Sequence, residues 1–121
     1  MIMKLHMLKS KLHRATVTEA NLNYVGSITI DRKLMEKANL LEYERVLVVN
    51  INNGSRLETY VMTGESGSGI ICLNGAAARC AQVQDKIIVM AFCELEEWEA
   101  QEHKPTIVFL DDENKVDSVV G

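Results

Sequence analysis

Arg45-Val46-Leu47-Val48-Val49-Asn50-Ile51-Asn52-Asn53-Gly54-Ser55-Arg56-Leu57-Glu58-Thr59-Tyr60-Val61-Met62-Thr63 is the stretch that decides the fold. A mostly apolar, β-branched run enters it and Asn52-Asn53-Gly54 interrupts it. An alternating run leaves it, which is the pattern of a β-hairpin. A period of two sends Arg56, Glu58 and Tyr60 to one side of the return strand and Leu57, Thr59 and Val61 to the other.

Strand signals continue on both sides. Upstream, Leu8 to Thr18 alternates loosely, with Leu12, Ala15 and Val17 among polar residues, so it reads as a strand with one wet face that Lys11 and His13 share. Leu22 to Gly26 reads as an exposed turn and Ser27 to Ile30 as a second strand. Asp31 caps a short helix carrying Leu34, Met35 and Ala38 on one face. Downstream, Gly64-Glu65-Ser66-Gly67-Ser68-Gly69 lacks the lysine and the following helix of a phosphate-binding loop, so it reads as a hairpin loop before the strand Ile70 to Leu73. Ala76 to Ala81 forms a helical turn and Lys86 to Cys93 a buried strand. Glu94 to Glu102 is expected as a surface helix with Leu95 and Trp98 inward, and Thr106 to Leu110 as the last strand. After Asp111-Asp112-Glu113-Asn114 the tail carries little signal. About seven short strands with brief helical connections in one small unit imply a closed or nearly closed β-barrel with helical insertions.

The 121 residues suffice for one domain with a real core and not for two. Thirteen basic against seventeen acidic residues give a net charge of −4, which argues against nucleic acid as a partner. The charge is uneven: Lys4, Lys9, Lys11 and Arg14 stand in a segment free of acids, while Glu94, Glu96, Glu97, Glu99 and Glu102 crowd another. A local basic patch on an acidic protein suits a small anion. Cys72, Cys80 and Cys93 show no paired spacing, so neither a disulfide framework nor a zinc site is indicated, and no metal is expected. No apolar signal core precedes Gly26, and the longest apolar run, Ile87 to Cys93, is far too short to span a membrane. A cytoplasmic protein without membrane partners is the expectation.

Chemistry enters at Asn23-Tyr24-Val25-Gly26-Ser27-Ile28-Thr29-Ile30-Asp31. A glycine directly before an alternating β-branched run is costly unless the backbone needs its freedom, and it leaves its own carbonyl open to approach. The Ser27 hydroxyl can reach that carbonyl, the requirement for an N-to-O acyl shift. Gly-Ser is also a common turn dipeptide. Lys11-Leu12-His13-Arg14 lies upstream, with Asn53-Gly54-Ser55-Arg56-Leu57-Glu58-Thr59-Tyr60 and Asn74-Gly75-Ala76-Ala77-Ala78 downstream. In this order and spacing the four blocks resemble the pyruvoyl-dependent aspartate decarboxylases, from about Leu8 to Lys104-Pro105.

The resemblance implies a double-psi β-barrel with short helical insertions. It also implies a proenzyme that cleaves itself between Gly26 and Ser27, giving chains 1–26 and 27–121, with Ser27 becoming a covalent pyruvoyl group. That group forms a Schiff base with L-aspartate, which loses carbon dioxide and yields β-alanine for pantothenate. Strain at the peptide supplies about 1–3 kcal/mol, and one oxyanion donor about 3–4 kcal/mol. A donor is therefore needed, and the resemblance nominates Thr59, with Asn74 beside it. It implies Tyr60 as proton donor, Lys11 and Arg56 as cations for the two carboxylates, and Gly75, Ala76 and Ala77, with Thr59, as the substrate loop. His13 and Tyr24 support or position. A homotetramer with sites between subunits is implied as well. Two alternatives stay open: a non-catalytic barrel that binds without cleaving, and the same chemistry on another acidic amino acid such as glutamate.

Overall fold

A computed structural model describes residues 2–121. The strands are β1 (Lys4–Thr16), β2 (Glu19–Asn21), β3 (Ser27–Asp31), β4 (Arg45–Asn50), β5 (Arg56–Gly64), β6 (Ile71–Asn74), β7 (Lys86–Glu96), β8 (Thr106–Leu110) and β9 (Val116–Val120). Helix α1 (Arg32–Lys37) follows β3, a 3-10 turn (Gly75–Cys80) follows β6, and α2 (Glu97–Ala100) follows β7.

Their order in the sheet is β2-β6-β3-β5-β4-β7-β1-β8-β9. Only Val17 and Thr18 separate β1 from β2, and both are tied in: the Val17 N–H donates to Asp85 O and the Thr18 N–H to Ile71 O, each at 2.9 Å. One extended segment thus pairs with β7 through its first part and with β6 through its last. That closes the sheet into the barrel read from the strand pattern, of the double-psi type that the family resemblance implied. Alternation fills the interior with Leu12, Ile28, Ile30, Val46, Val48, Val61, Ile71, Leu73, Ile87 and Val89, all buried. Leu34, Met35 and Ala38 of α1 join the same core.

Asp31 ends β3 and caps α1, its Oδ1 accepting from the Lys33 N–H at 2.8 Å. The same carboxylate accepts from the Gly67 N–H at 2.9 Å and the Gly69 N–H at 2.8 Å. The glycine-rich loop therefore wraps a carboxylate of its own chain. It is not a hairpin loop, because β3 lies between β5 and β6, parallel to the first and antiparallel to the second. At the other hairpin the expectation holds: β4 pairs antiparallel with β5, and Gly54 takes a φ of +76° in the turn.

The acidic stretch departs from expectation. Strand β7 runs to Glu96, because β1 begins at Lys4 and pairs Lys4 with Glu96, Leu5 with Leu95 and His6 with Glu94. Only Glu97–Ala100 is helical, and Trp98 is 68% exposed, not inward; its indole N–H donates to Glu96 Oε2 at 2.6 Å. The tail is also structured, as β9 pairs antiparallel with β8. Asn114 fixes the turn between them: its amide accepts from the Thr16 N–H and donates to the carbonyls of Thr16 and Gly69.

Candidate active site

Ser27 opens β3 and pairs with Asn74, the last residue of β6. It is only 1% exposed. A buried hydroxyl needs partners, and it has two. The Asn74 Nδ2 donates to Ser27 Oγ at 3.0 Å, and the Ser27 hydroxyl donates to the Val25 carbonyl at 3.4 Å. The hydroxyl is thus turned back over the peptides that precede it. The other hydrogen of the Asn74 amide goes to Thr29 Oγ1 at 2.9 Å, and the Cys72 thiol donates to Asn74 Oδ1 at 3.1 Å. Burial first, then the neighbouring Glu19 carboxylate, pushes that thiol up to about 11. It is a protonated donor at neutral pH.

The glycine that the backbone requires is Gly75. Its φ is +64°, and a Cβ there would lie 2.8 Å from Gly26 N, Gly26 Cα and Tyr24 O. Gly26 itself is outside the left-handed region, and a Cβ on it would meet only the Asn74 carbonyl at 4.0 Å. The expectation of special dihedrals at Gly26 is therefore corrected: the close approach is real, and the residue that permits it belongs to the opposing segment. Gly75 opens the 3-10 turn in which Ala76 is exposed and Ala77 buried. The far end of that turn is held by the β4–β5 hairpin, where Asn50 Nδ2, Asn53 Nδ2 and Ser55 Oγ all donate to the Cys80 carbonyl at 2.8–3.0 Å.

In the parallel ladder of β3 and β5, Ile28 pairs with Val61. Continued beyond Ile28, this register sets Ser27 level with Tyr60 and Gly26 level with Thr59. Thr59 is half-buried and pairs with Val46. Tyr60 pairs with Arg45, and its ring lies 6.4 Å from that of Tyr43. Tyr24 is exposed in the segment before Gly26.

The remaining expected residues are elsewhere. Lys11 pairs with Met90, Met90 with Leu47, and Leu47 with Glu58, so three interstrand steps of about 4.8 Å separate Lys11 from β5 alone. Arg56 is exposed at the hairpin end of β5, roughly 13 Å along the strand from Tyr60 at about 3.3 Å per residue. His13 stacks edge-on against Phe109 with centroids 5.3 Å apart. Its pKa is lowered by burial, then by the charges of Lys11 and Arg14, and its Nδ1 is buried without a partner. One copy of the chain thus gathers Tyr24, Gly26, Ser27, Thr59, Tyr60, Asn74 and Gly75, and leaves Lys11, His13 and Arg56 outside. Thr29 and Cys72 were not singled out from sequence. The available signal was spacing, since each lies two residues along a strand from a site residue.

Ser27 thus presents a buried hydroxyl, held by an amide at the start of a barrel strand, beside a glycine that admits the preceding peptide. The family model described as aspartate decarboxylase matches residues 3–117. The aspartate 1-decarboxylase of Clostridium acetobutylicum is 67% identical over 117 residues, covering 97% of this chain and 92% of the relative. That of Clostridium kluyveri is 65% identical over 114 residues, covering 94% and 90%, and that of Clostridium botulinum 62% over 119 residues, covering 98% and 94%. The chain belongs to the aspartate decarboxylase family.

Proposed function

We propose that this protein is a proenzyme that cleaves itself between Gly26 and Ser27 and then decarboxylates L-aspartate to β-alanine and carbon dioxide, the step that feeds pantothenate synthesis. The observation that carries the reading is the Asn74 amide donating to a buried Ser27 Oγ in a chain of this family.

Ser27 Oγ attacks the Gly26 carbonyl carbon and its proton leaves, while Thr59, level with Gly26, donates to the developing oxyanion. Collapse transfers the acyl group from nitrogen to oxygen. Loss of the Cα proton of residue 27 then breaks its Cβ–Oγ bond, and Gly26 departs as a carboxylate carrying that oxygen. The dehydroalanine left at residue 27 takes up water and releases ammonia. Position 27 fits the resulting pyruvoyl group, being buried at a strand start with the amide donor of Asn74 and the open face of Gly75 beside it. Such a group supplies a ketone that takes the substrate amine and draws electrons from its α-carbon.

The chain's own residues do the rest. Tyr60, level with residue 27, places a proton on the α-carbon after carbon dioxide leaves. Gly75, Ala76 and Ala77 offer backbone and small side chains that allow a carboxylate to approach closely. Arg56 grips one carboxylate with its planar fork and Lys11 the other. Because these two cations lie far from Ser27 in one copy, a neighbouring copy contributes them, in a homotetramer with sites between subunits. A biosynthetic role of this kind places the protein in the cytoplasm. Among the described residues, no helix is long and apolar enough to cross a membrane.

Intact mass before and after incubation, followed by turnover of aspartate beside glutamate, tests the reading. Two chains, 1–26 and 27–121, with β-alanine formed faster than the glutamate product, are expected. One persistent chain that makes no β-alanine overturns it.

A further inference from the structure

We propose that Cys72 is a positioning residue for self-cleavage: its thiol donates to Asn74 Oδ1 and thereby commits the amide hydrogens of Asn74 to Ser27 Oγ and Thr29 Oγ1. This rests on the self-cleavage reading and adds a residue that neither the decarboxylation chemistry nor the substrate site uses.

The Asn74 side chain is buried, and all of its polar contacts lie on three groups. The Ser27 hydroxyl turns its own hydrogen toward the Val25 carbonyl at a long 3.4 Å and so favours the NH2 end only weakly, while the Thr29 hydroxyl donates or accepts with equal ease. The thiol does choose. It carries a hydrogen, and its sulfur is a poor acceptor, so S–H to carbonyl oxygen is favoured over N–H to sulfur. Turning the amide over would leave its NH2 against sulfur and bring its carbonyl to Ser27. Strand geometry supports the arrangement, because Cys72 and Asn74 are two residues apart on β6 and share a face. Thr29 and Ser27 stand likewise on β3, with Thr29 level with Cys72 and Ser27 level with Asn74.

The choice of end matters for the chemistry. Ser27 Oγ loses its proton on attacking Gly26, and it leaves with the electron pair of the Cβ–Oγ bond in the elimination. This oxygen carries charge as its proton leaves, before the charge passes to the Gly26 carbonyl oxygen, and gains it again as the carboxylate departs in the elimination; a fixed N–H aimed at it stabilises that charge, whereas an amide carbonyl there would oppose it. Glu19, level with Cys72 on β2, is a competing acceptor for the thiol, but it is exposed, while Asn74 Oδ1 is buried and lies 3.1 Å from the sulfur.

The test uses two pairs of variants, each pair differing in a donor at nearly constant packing: Cys72→Ser with Cys72→Ala, and Cys72→Thr with Cys72→Val. The serine and alanine fit within the space of the thiol, and the second pair matches the donor comparison isosterically. Fresh precursor is followed by intact mass for appearance of chains 1–26 and 27–121, with melting temperature measured in parallel. The hydroxyl member of each folded pair should cleave within a few-fold of the wild type, and its partner at least 10-fold more slowly, at similar melting temperatures. Equal rates within a pair overturn the proposal, whether both are fast or both slow. Failure of the wild type itself to cleave overturns the self-cleavage reading instead, so the two failures are distinguishable.

Discussion

At the scale of single residues, the space around the Gly26–Ser27 peptide is set from outside it. Gly75→Ala places a methyl group 2.8 Å from the backbone of Gly26 and Tyr24 and adds roughly 1–2 kcal/mol for a left-handed backbone with a Cβ. Asparagine tolerates that backbone better but brings the same Cβ. Both variants should therefore slow the appearance of chain 1–26 by an order of magnitude or more, measured by intact mass. If Gly75→Asn cleaves at the wild-type rate and Gly75→Ala does not, only the dihedral matters and the close approach is irrelevant. Tyr60→Phe separates maturation from turnover, because self-cleavage needs an open carbonyl and an oxyanion donor, whereas turnover needs a proton on the α-carbon. It should cleave normally and release β-alanine about 100- to 10,000-fold more slowly, the usual cost of losing a positioned acid. Turnover within a few-fold of the wild type makes Tyr60 a packing residue. Gly26-Ser27 was legible as a candidate pair because the serine hydroxyl lies close along the chain to the Gly26 carbonyl, near enough for attack to close a small ring. The demand on Gly75 was not, since it arises from a contact between β6 and the segment before β3 that no local pattern encodes.

At the scale of elements, a single carboxylate organises the crossing around β3. Asp31 caps α1 and holds both Gly67 and Gly69, so the connection from β5 to β6 is pinned over the end of the strand between them. Asp31→Ala removes the cap, worth about 0.5–2 kcal/mol. It also strands loop N–H groups at about 1–3 kcal/mol for a buried one. A loss of about 2–4 kcal/mol in urea unfolding at neutral pH is expected, and less than about 0.5 kcal/mol would show that water replaces the carboxylate without cost. The cap was readable from Asp31 before Leu34 and Met35. The crossing was not, because a glycine-rich loop looks the same whether it joins neighbouring strands or spans a third. The acidic stretch shows the opposite conflict. Glutamate-rich composition favours helix locally, yet β1 starts early enough to pair with Glu94 through Glu96, and the ladder overrides the preference. Likewise Val116–Val120 becomes a strand because β8 offers it an edge, which is information held at Thr106–Leu110 and not in the tail.

At the scale of the whole molecule, the barrel separates the groups that its proposed chemistry must unite. Ser27 and Tyr60 stand level on β3 and β5, whereas Lys11 on β1 lies beyond β4 and β7 in the sheet. A rigid ladder does not close that gap, so the distance is bridged by a second copy or Lys11 has no part in the site. Co-expressing Ser27→Ala with Lys11→Ala decides between these. Ser27→Ala alone has no hydroxyl to attack Gly26 and is inactive. Lys11→Ala alone cleaves but binds aspartate poorly. In a mixed oligomer, a site that takes residue 27 from the Lys11→Ala copy and Lys11 from the Ser27→Ala copy has both groups. Random mixing at equal expression makes about a quarter of the sites complete in a symmetric assembly. Activity at low aspartate should therefore rise well above that of either variant alone, toward about a quarter of the wild type. Recovery also requires that the two variants assemble together, which is checked by purifying through a tag carried on only one of them. Activity of the tagged mixture no greater than that of Lys11→Ala alone would mean that Lys11 serves its own subunit or none, and the second cation for the substrate must then be sought on the strands adjoining Ser27.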